Sequence, residues 1–91
     1  MSLNWPAKDP DEVLDYQIVW TARLDGDTIA TSAWQVGGSG LVIDSDANTT
    51  TTTTVWLSAG VLGTKYHIVN RVITAGGRTM EEGVTLRVRA R

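Results

Sequence analysis

Between Leu14 and Leu24 every second residue is apolar: Leu14, Tyr16, Ile18, Trp20, Ala22 and Leu24. Asp15, Gln17, Thr21 and Arg23 fall between them. A period of two over this length describes a β-strand with one buried and one solvated face, whereas a helix would scatter the same residues around its axis. Asp25-Gly26-Asp27 follows, and an Asp-Gly pair tolerates the positive φ of a tight turn. "TIATSAWQV" then reads as the returning strand, with Ile29, Trp34 and Val36 as its large apolar residues, so the spacing predicts a first hairpin.

The remainder repeats this grammar. Gly37–Gly40 ("GGSG") is a flexible break, Leu41–Ile43 a short apolar strand and Asp44–Asn48 ("DSDAN") a polar turn. Six threonines, Thr49–Thr54, lead into Val55-Trp56-Leu57. Threonine is β-branched and favoured on pleated surfaces, so this run predicts a polar strand near a sheet edge with hydroxyls outward. Ice-lattice matching needs threonine pairs repeated at a fixed period, and the run occurs once. "SAGVLG" makes a corner before the long strand Thr64–Thr74. After the glycine turn "AGGR", Val84, Leu86 and Val88 alternate with Thr85, Arg87 and Arg89. Strands at this spacing, with no helical pattern, indicate an all-β antiparallel sandwich of about seven strands, with a small β-barrel as the alternative. Pro6 and Pro10 precede the first strand, so residues 1–12 are expected to form an extended polar arm and residues 13–91 a single domain.

At 91 residues and 42% hydrophobic content the chain is sized for one modest core. It has no cysteine, which removes disulfide and thiolate chemistry. Met1–Pro10 lacks the apolar run of a signal peptide, and no stretch has the length of a membrane span. Charge is uneven. Met1–Asp46 holds eight acids against two bases, and Ala47–Arg91 two acids against six bases, a net −6 and +4. Interleaved antiparallel strands would cancel this within one molecule; a dipolar surface would instead let copies pack head to tail. The acidic pI of about 5.1 disfavours nucleic acid as a partner.

Catalytic and metal constellations are missing from the pattern. Asp44-x-Asp46-x-Asn48 opens like a calcium loop, but Thr49 stands where that loop needs glycine and Val55 where it needs a bidentate glutamate. His67, the single histidine, alternates with Tyr66 and Ile68 and is expected on a strand surface without a base–orienter partner. "GGSG" lacks the lysine and helix of a phosphate loop, and no serine has a nucleophile-elbow setting. No cofactor, metal or small-molecule substrate is therefore expected. Trp20, Trp34, Tyr66 and Leu86 are expected in the core; Trp56, beside the threonines, is expected there too, with exposure for partner or sugar contact as the alternative. Trp5 must dock either on its own domain or on a neighbour.

Tyr66 follows the glycine corner of "LGTKYHIV" at the start of a long strand. This is the setting of a tyrosine corner, whose hydroxyl bonds upstream backbone in Greek-key sandwiches of immunoglobulin type. The ordered set "WPAKDPDEVLDYQIVW" (Trp5–Trp20), "LDGDTIATSAW" (Leu24–Trp34), "TTTVWLSAGVLGTKYHIVNRVIT" (Thr52–Thr74), "GGRT" and "LRVR" resembles a family of small tailed-phage and prophage virion proteins, the fiber–tail adaptors. Ser58-Ala59-Gly60 carries alanine where members usually show glycine, and Gly37–Gly40 looks like a loop insertion. The resemblance implies an immunoglobulin-like β domain that catalyses nothing, sits in the virion after assembly in the host bacterial cytoplasm, and contacts other tail or fiber proteins; the split charge adds copies of itself as an alternative partner. A surface carbohydrate-binding or adhesive module is the alternative. The acidic arm (Asp9, Asp11, Glu12) with Trp5, and the basic final strand (Arg87, Arg89, Arg91), form the candidate interface.

Overall fold

The computed structural model describes residues 2–90, with the side chains of Ser2 and Leu3 left out of the description. Seven strands and one helical turn follow in the order β1 (Ser2–Asn4), β2 (Leu14–Val19), α1 (Thr21–Leu24), β3 (Ile29–Gly37), β4 (Leu41–Asn48), β5 (Thr52–Ala59), β6 (Lys65–Thr74) and β7 (Thr79–Arg87). They form two sheets, one ordered β1-β7-β6-β3 and the other β2-β5-β4. All pairs are antiparallel except β1 with β7. The order β2-β5-β4 against β7-β6-β3 is the B-E-D against G-F-C arrangement of an immunoglobulin-like sandwich, with β1 added beside the last strand.

The alternation in β2 does bury one face, with Tyr16 and Ile18 inward and Asp15, Gln17 and Val19 exposed. The predicted hairpin does not form. β2 ends at Val19, and α1 carries the chain across to the other sheet, where β3 pairs with β6. Trp20 and Leu24 are each 1% exposed whereas Ala22, between them, is exposed. Positions i and i+4 share a face in a strand and in a helix alike, so the pattern continued unbroken through a change of structure. Asp25 ends the turn in the left-handed region, at φ 48°.

The threonine run is also partitioned differently from expectation. Thr49 turns the chain: its hydroxyl accepts from the Thr51 and Thr52 amides at 3.3 and 3.0 Å, an ST-turn. Thr52–Thr54 begin β5, which is the central strand of its sheet rather than an edge. Asp44–Asn48 is not a turn but the second half of β4, with a bulge between Ile43 and Ser45. The core fills the space between the sheets in two clusters: one includes Tyr66, Leu57, Ile68 and Leu86, the other Trp20, Leu24, Val72 and Val84.

Candidate interaction surface

The N-terminal segment is built into the domain rather than standing off it. β1 pairs in parallel with Gly83–Thr85. The Trp5 amide donates to Thr85 O, and Lys8 exchanges bonds with Arg87 O and the Arg89 amide at 3.0 and 2.9 Å. Trp5 stacks on Tyr16 with ring centroids 4.6 Å apart and lies 5.9 Å from Trp34. The reading of an arm that reaches a neighbour through Trp5 is therefore corrected: indole burial against two intramolecular aromatics outweighs the freedom of the lead-in. Asp9 and Glu12 close a local turn, in which the Asp9 amide donates to Glu12 Oε1 at 2.8 Å and the Asp11 amide to Asp9 Oδ1 at 2.9 Å. Asp11, Arg87 and Arg89 are exposed, and Arg91 lies outside the described residues. Because residues 8 and 88 are bridged, the acidic turn and the basic end of β7 are neighbours in one molecule.

Sequence reasoning missed Lys8, which is fully buried. Its ammonium donates to Asp9 O at 2.9 Å and Ala59 O at 2.6 Å, clasping the segment to the β5–β6 corner. Burial pushes its pKa down, while the carboxylates of Glu12, Asp9, Asp11 and Asp44 pull it up. It also missed Asn70, buried on β6. Asn70 Oδ1 accepts from Trp20 Nε1 at 3.0 Å and Thr53 Oγ1 at 2.7 Å, and Nδ2 donates to Ser32 Oγ and Ala33 O. This amide stitches both sheets through one fully bonded polar group, which offsets the cost of burying it. Asparagine at an inward position of an otherwise apolar alternation was the available signal.

Trp20, Tyr66 and Leu86 are each no more than 1% exposed. Trp34 is half-buried and touches both core clusters. Its indole N–H is enclosed without a hydrogen-bond partner. The Tyr66 hydroxyl donates to Ser39 O at 2.8 Å and accepts from the Val61 amide at 2.9 Å. These bonds tie the Gly37–Gly40 loop and the β5–β6 corner to the start of β6.

Trp56 is the main correction among the aromatics. It is 41% exposed rather than in the core, because Val55 and Leu57 take the two inward positions of the central strand beside it. It stands at the middle of the outer face of β2-β5-β4, opposite Asp15 on β2 and Ser45 on β4. Val42 and Ser58 pair in the next register, and Ser58 Oγ donates to Asp44 Oδ1 at 2.9 Å. On the opposite side of the sandwich, His67 lies exposed on β6, its ring close over Gly83: an added Cβ there would meet His67 Cε1 at 2.8 Å. A recess of about 440 Å³ opens beside it, lined by Gln35, Gly37 and Val69. At the far end of the molecule, Asp27 accepts from Thr28 N at 2.8 Å and Gly76 N at 3.1 Å and pairs with Arg78 Nε at 3.4 Å. A side-chain bond from Thr74, then these amides and Arg78, hold its carboxyl below the usual range.

What the site offers is contact surface. Among the described residues no group of three or more His, Cys, Asp or Glu is placed to hold a metal ion. The largest exposed aromatic stands on a rigid central strand, where docking loses little conformational entropy. No curated protein matches the chain. A family model described as podophage GP4 fiber-tail adaptor protein gp77 (Gp77) matches residues 8–87, from the clasping Lys8 to the last residue of β7, and the chain belongs to that family.

Proposed function

We propose that this protein is a non-catalytic structural component of a phage or prophage virion that joins tail and fiber proteins by direct protein–protein contact. The observation that carries the reading is the family match across residues 8–87. The geometry supports it: a small sandwich presents side chains on two broad faces, with Trp56 exposed on one of them. Rigid exposed tryptophans are frequent centres of binding energy. The protein would be made in the host bacterial cytoplasm and carried in the finished particle.

The test is a stop codon in this gene within its phage or inducible prophage. Particles are then purified and imaged, and their proteins identified by mass spectrometry. The expected result is tails without fibers, with fibers restored when the gene is supplied in trans. Particles that carry a full set of fibers in its absence refute the adaptor role.

A further inference from the structure

The two outer faces of the sandwich differ in charge and in relief. On the outer side of the β2-β5-β4 sheet Asp15 stands opposite Trp56 and Asp44 bonds Ser58 in the next register, and β2, β4 and β5 hold no lysine or arginine. Trp56 projects from this acidic face, with exposed Val42 nearby on β4. The outer face of the other sheet carries Lys65, Arg71 and Arg87, all exposed, against Glu81 as its carboxylate among the described residues. Along β6 the recess beside His67 lies between Lys65 and Arg71, and Gly37, with no side chain to fill it, forms part of its lining. One face thus has an aromatic knob flanked by carboxylates. The other has a hollow flanked by cations.

We propose that copies of this chain associate through unlike faces, Trp56 of one copy entering the recess beside His67 of the next. The inference rests on the contact-making role proposed above and assigns it a surface and a partner. Charge complementarity favours this occupant. Asp15 and Asp44 lie near the tryptophan on the neighbouring strands, Lys65 and Arg71 lie to either side of the recess along β6, and a like-face pairing would set carboxylate against carboxylate. The two faces lie on opposite sides of the molecule, so the contact is heterologous. It leaves a free knob at one end and a free recess at the other, and growth continues until a ring closes. The exposed Val42 widens the apolar centre, and the charges at its rim make association sensitive to salt.

The test is sedimentation of the purified protein over a range of concentrations at low and high salt, with two variants. Trp56→Ala removes the knob. Gly37→Leu fills the recess, and its Cβ would meet only His67 O at 3.5 Å. If Gly37→Leu proves unfolded by circular dichroism, Gln35→Trp on the edge strand β3 blocks the same recess. The expected result is a wild-type mass that rises with concentration beyond a dimer, most strongly at low salt. Each variant alone stays monomeric, with association at least tenfold weaker, and an equimolar mixture gives a one-to-one dimer that grows no further. Three results overturn the proposal: wild-type protein that is monomeric throughout, association unchanged by Trp56→Ala, or a mixture that does not dimerise. So does a monomeric wild type whose tryptophan emission shifts on adding soluble oligosaccharides, which assigns the face to sugar. A monomeric protein whose loss still strips fibers from particles overturns this inference alone and leaves the adaptor role standing.

Discussion

Replacing Tyr66 by phenylalanine removes one oxygen atom and leaves the ring in place, so the change isolates the corner from core packing. The ring is 1% exposed, and phenylalanine fills the same volume without a cavity. Two hydrogen bonds disappear, from the hydroxyl to Ser39 O at 2.8 Å and from the Val61 amide to the hydroxyl at 2.9 Å. An ordinary intramolecular hydrogen bond contributes about 0.5–1.5 kcal/mol net, and a donor left without a partner in the interior costs about 1–3 kcal/mol. Ser39 sits on an exposed loop, where water replaces the lost donor. The Val61 amide is more enclosed, since Gly40 closes over it at φ 100° and a Cβ there would stand 3.1 Å from the hydroxyl and 3.6 Å from Val61 N. The expected loss is therefore about 2 kcal/mol, which for a domain of this size lowers Tm by roughly 8–16 °C. Thermal melts give the first number. Amide hydrogen exchange gives a second, independent one: Val61 should lose protection by more than its strand neighbours. A Tm within about 2 °C of wild type, or an unchanged Val61 amide, would refute the assignment of this hydroxyl as the bond that holds the corner.

Ala59 occupies the left-handed region at φ 59°, so Ala59→Gly should raise stability by about 0.5–1 kcal/mol, read as a small rise in Tm; a fall would show that its methyl group does more than strain the backbone. Trp5→Ala should destabilise the isolated domain by about 2 kcal/mol, since it removes a stacked, half-buried ring; unchanged melting would return the segment to the role of a free arm. Trp34→Phe should stay within about 1 kcal/mol of wild type, because its indole N–H has no partner to lose, while Trp20→Phe should lose about 2 kcal/mol with the bonds to Asn70 and Thr53; equal effects would contradict the hydrogen-bond assignment. Asp27 has a depressed pKa in the folded state, so its contribution is full above the ordinary carboxylate range and is lost as pH falls through the depressed value; Asp27→Asn should flatten the drop in Tm between about pH 5 and 2, and an unaltered profile would remove Asp27 from the acid response.

The sequence alone determined the fold class, because period two is a local property: alternate side chains must face opposite ways wherever the backbone is extended, and β2, β6 and β7 follow directly from it. It also located the tyrosine corner, since a glycine corner and a following strand are neighbours along the chain. Three decisions were left to tertiary structure. The alternation could not say where β2 stops, because Trp20 and Leu24 share a face in either conformation; only the need to cross between sheets selects a helical turn. Threonine content could not distinguish an edge strand from a central one, since that depends on which strands pair on both sides, and β5 is flanked by β2 and β4. The fate of each tryptophan was decided the same way. Trp5 lies in a polar, proline-bounded stretch yet is drawn into the domain by pairing with β7, its amide bonding Thr85 O, 80 residues further along the chain. Trp56 lies between two apolar residues yet faces solvent, because in a pleated strand the inward positions belonged to Val55 and Leu57. Burial is settled by long-range partners, and those partners are what a single sequence leaves unstated.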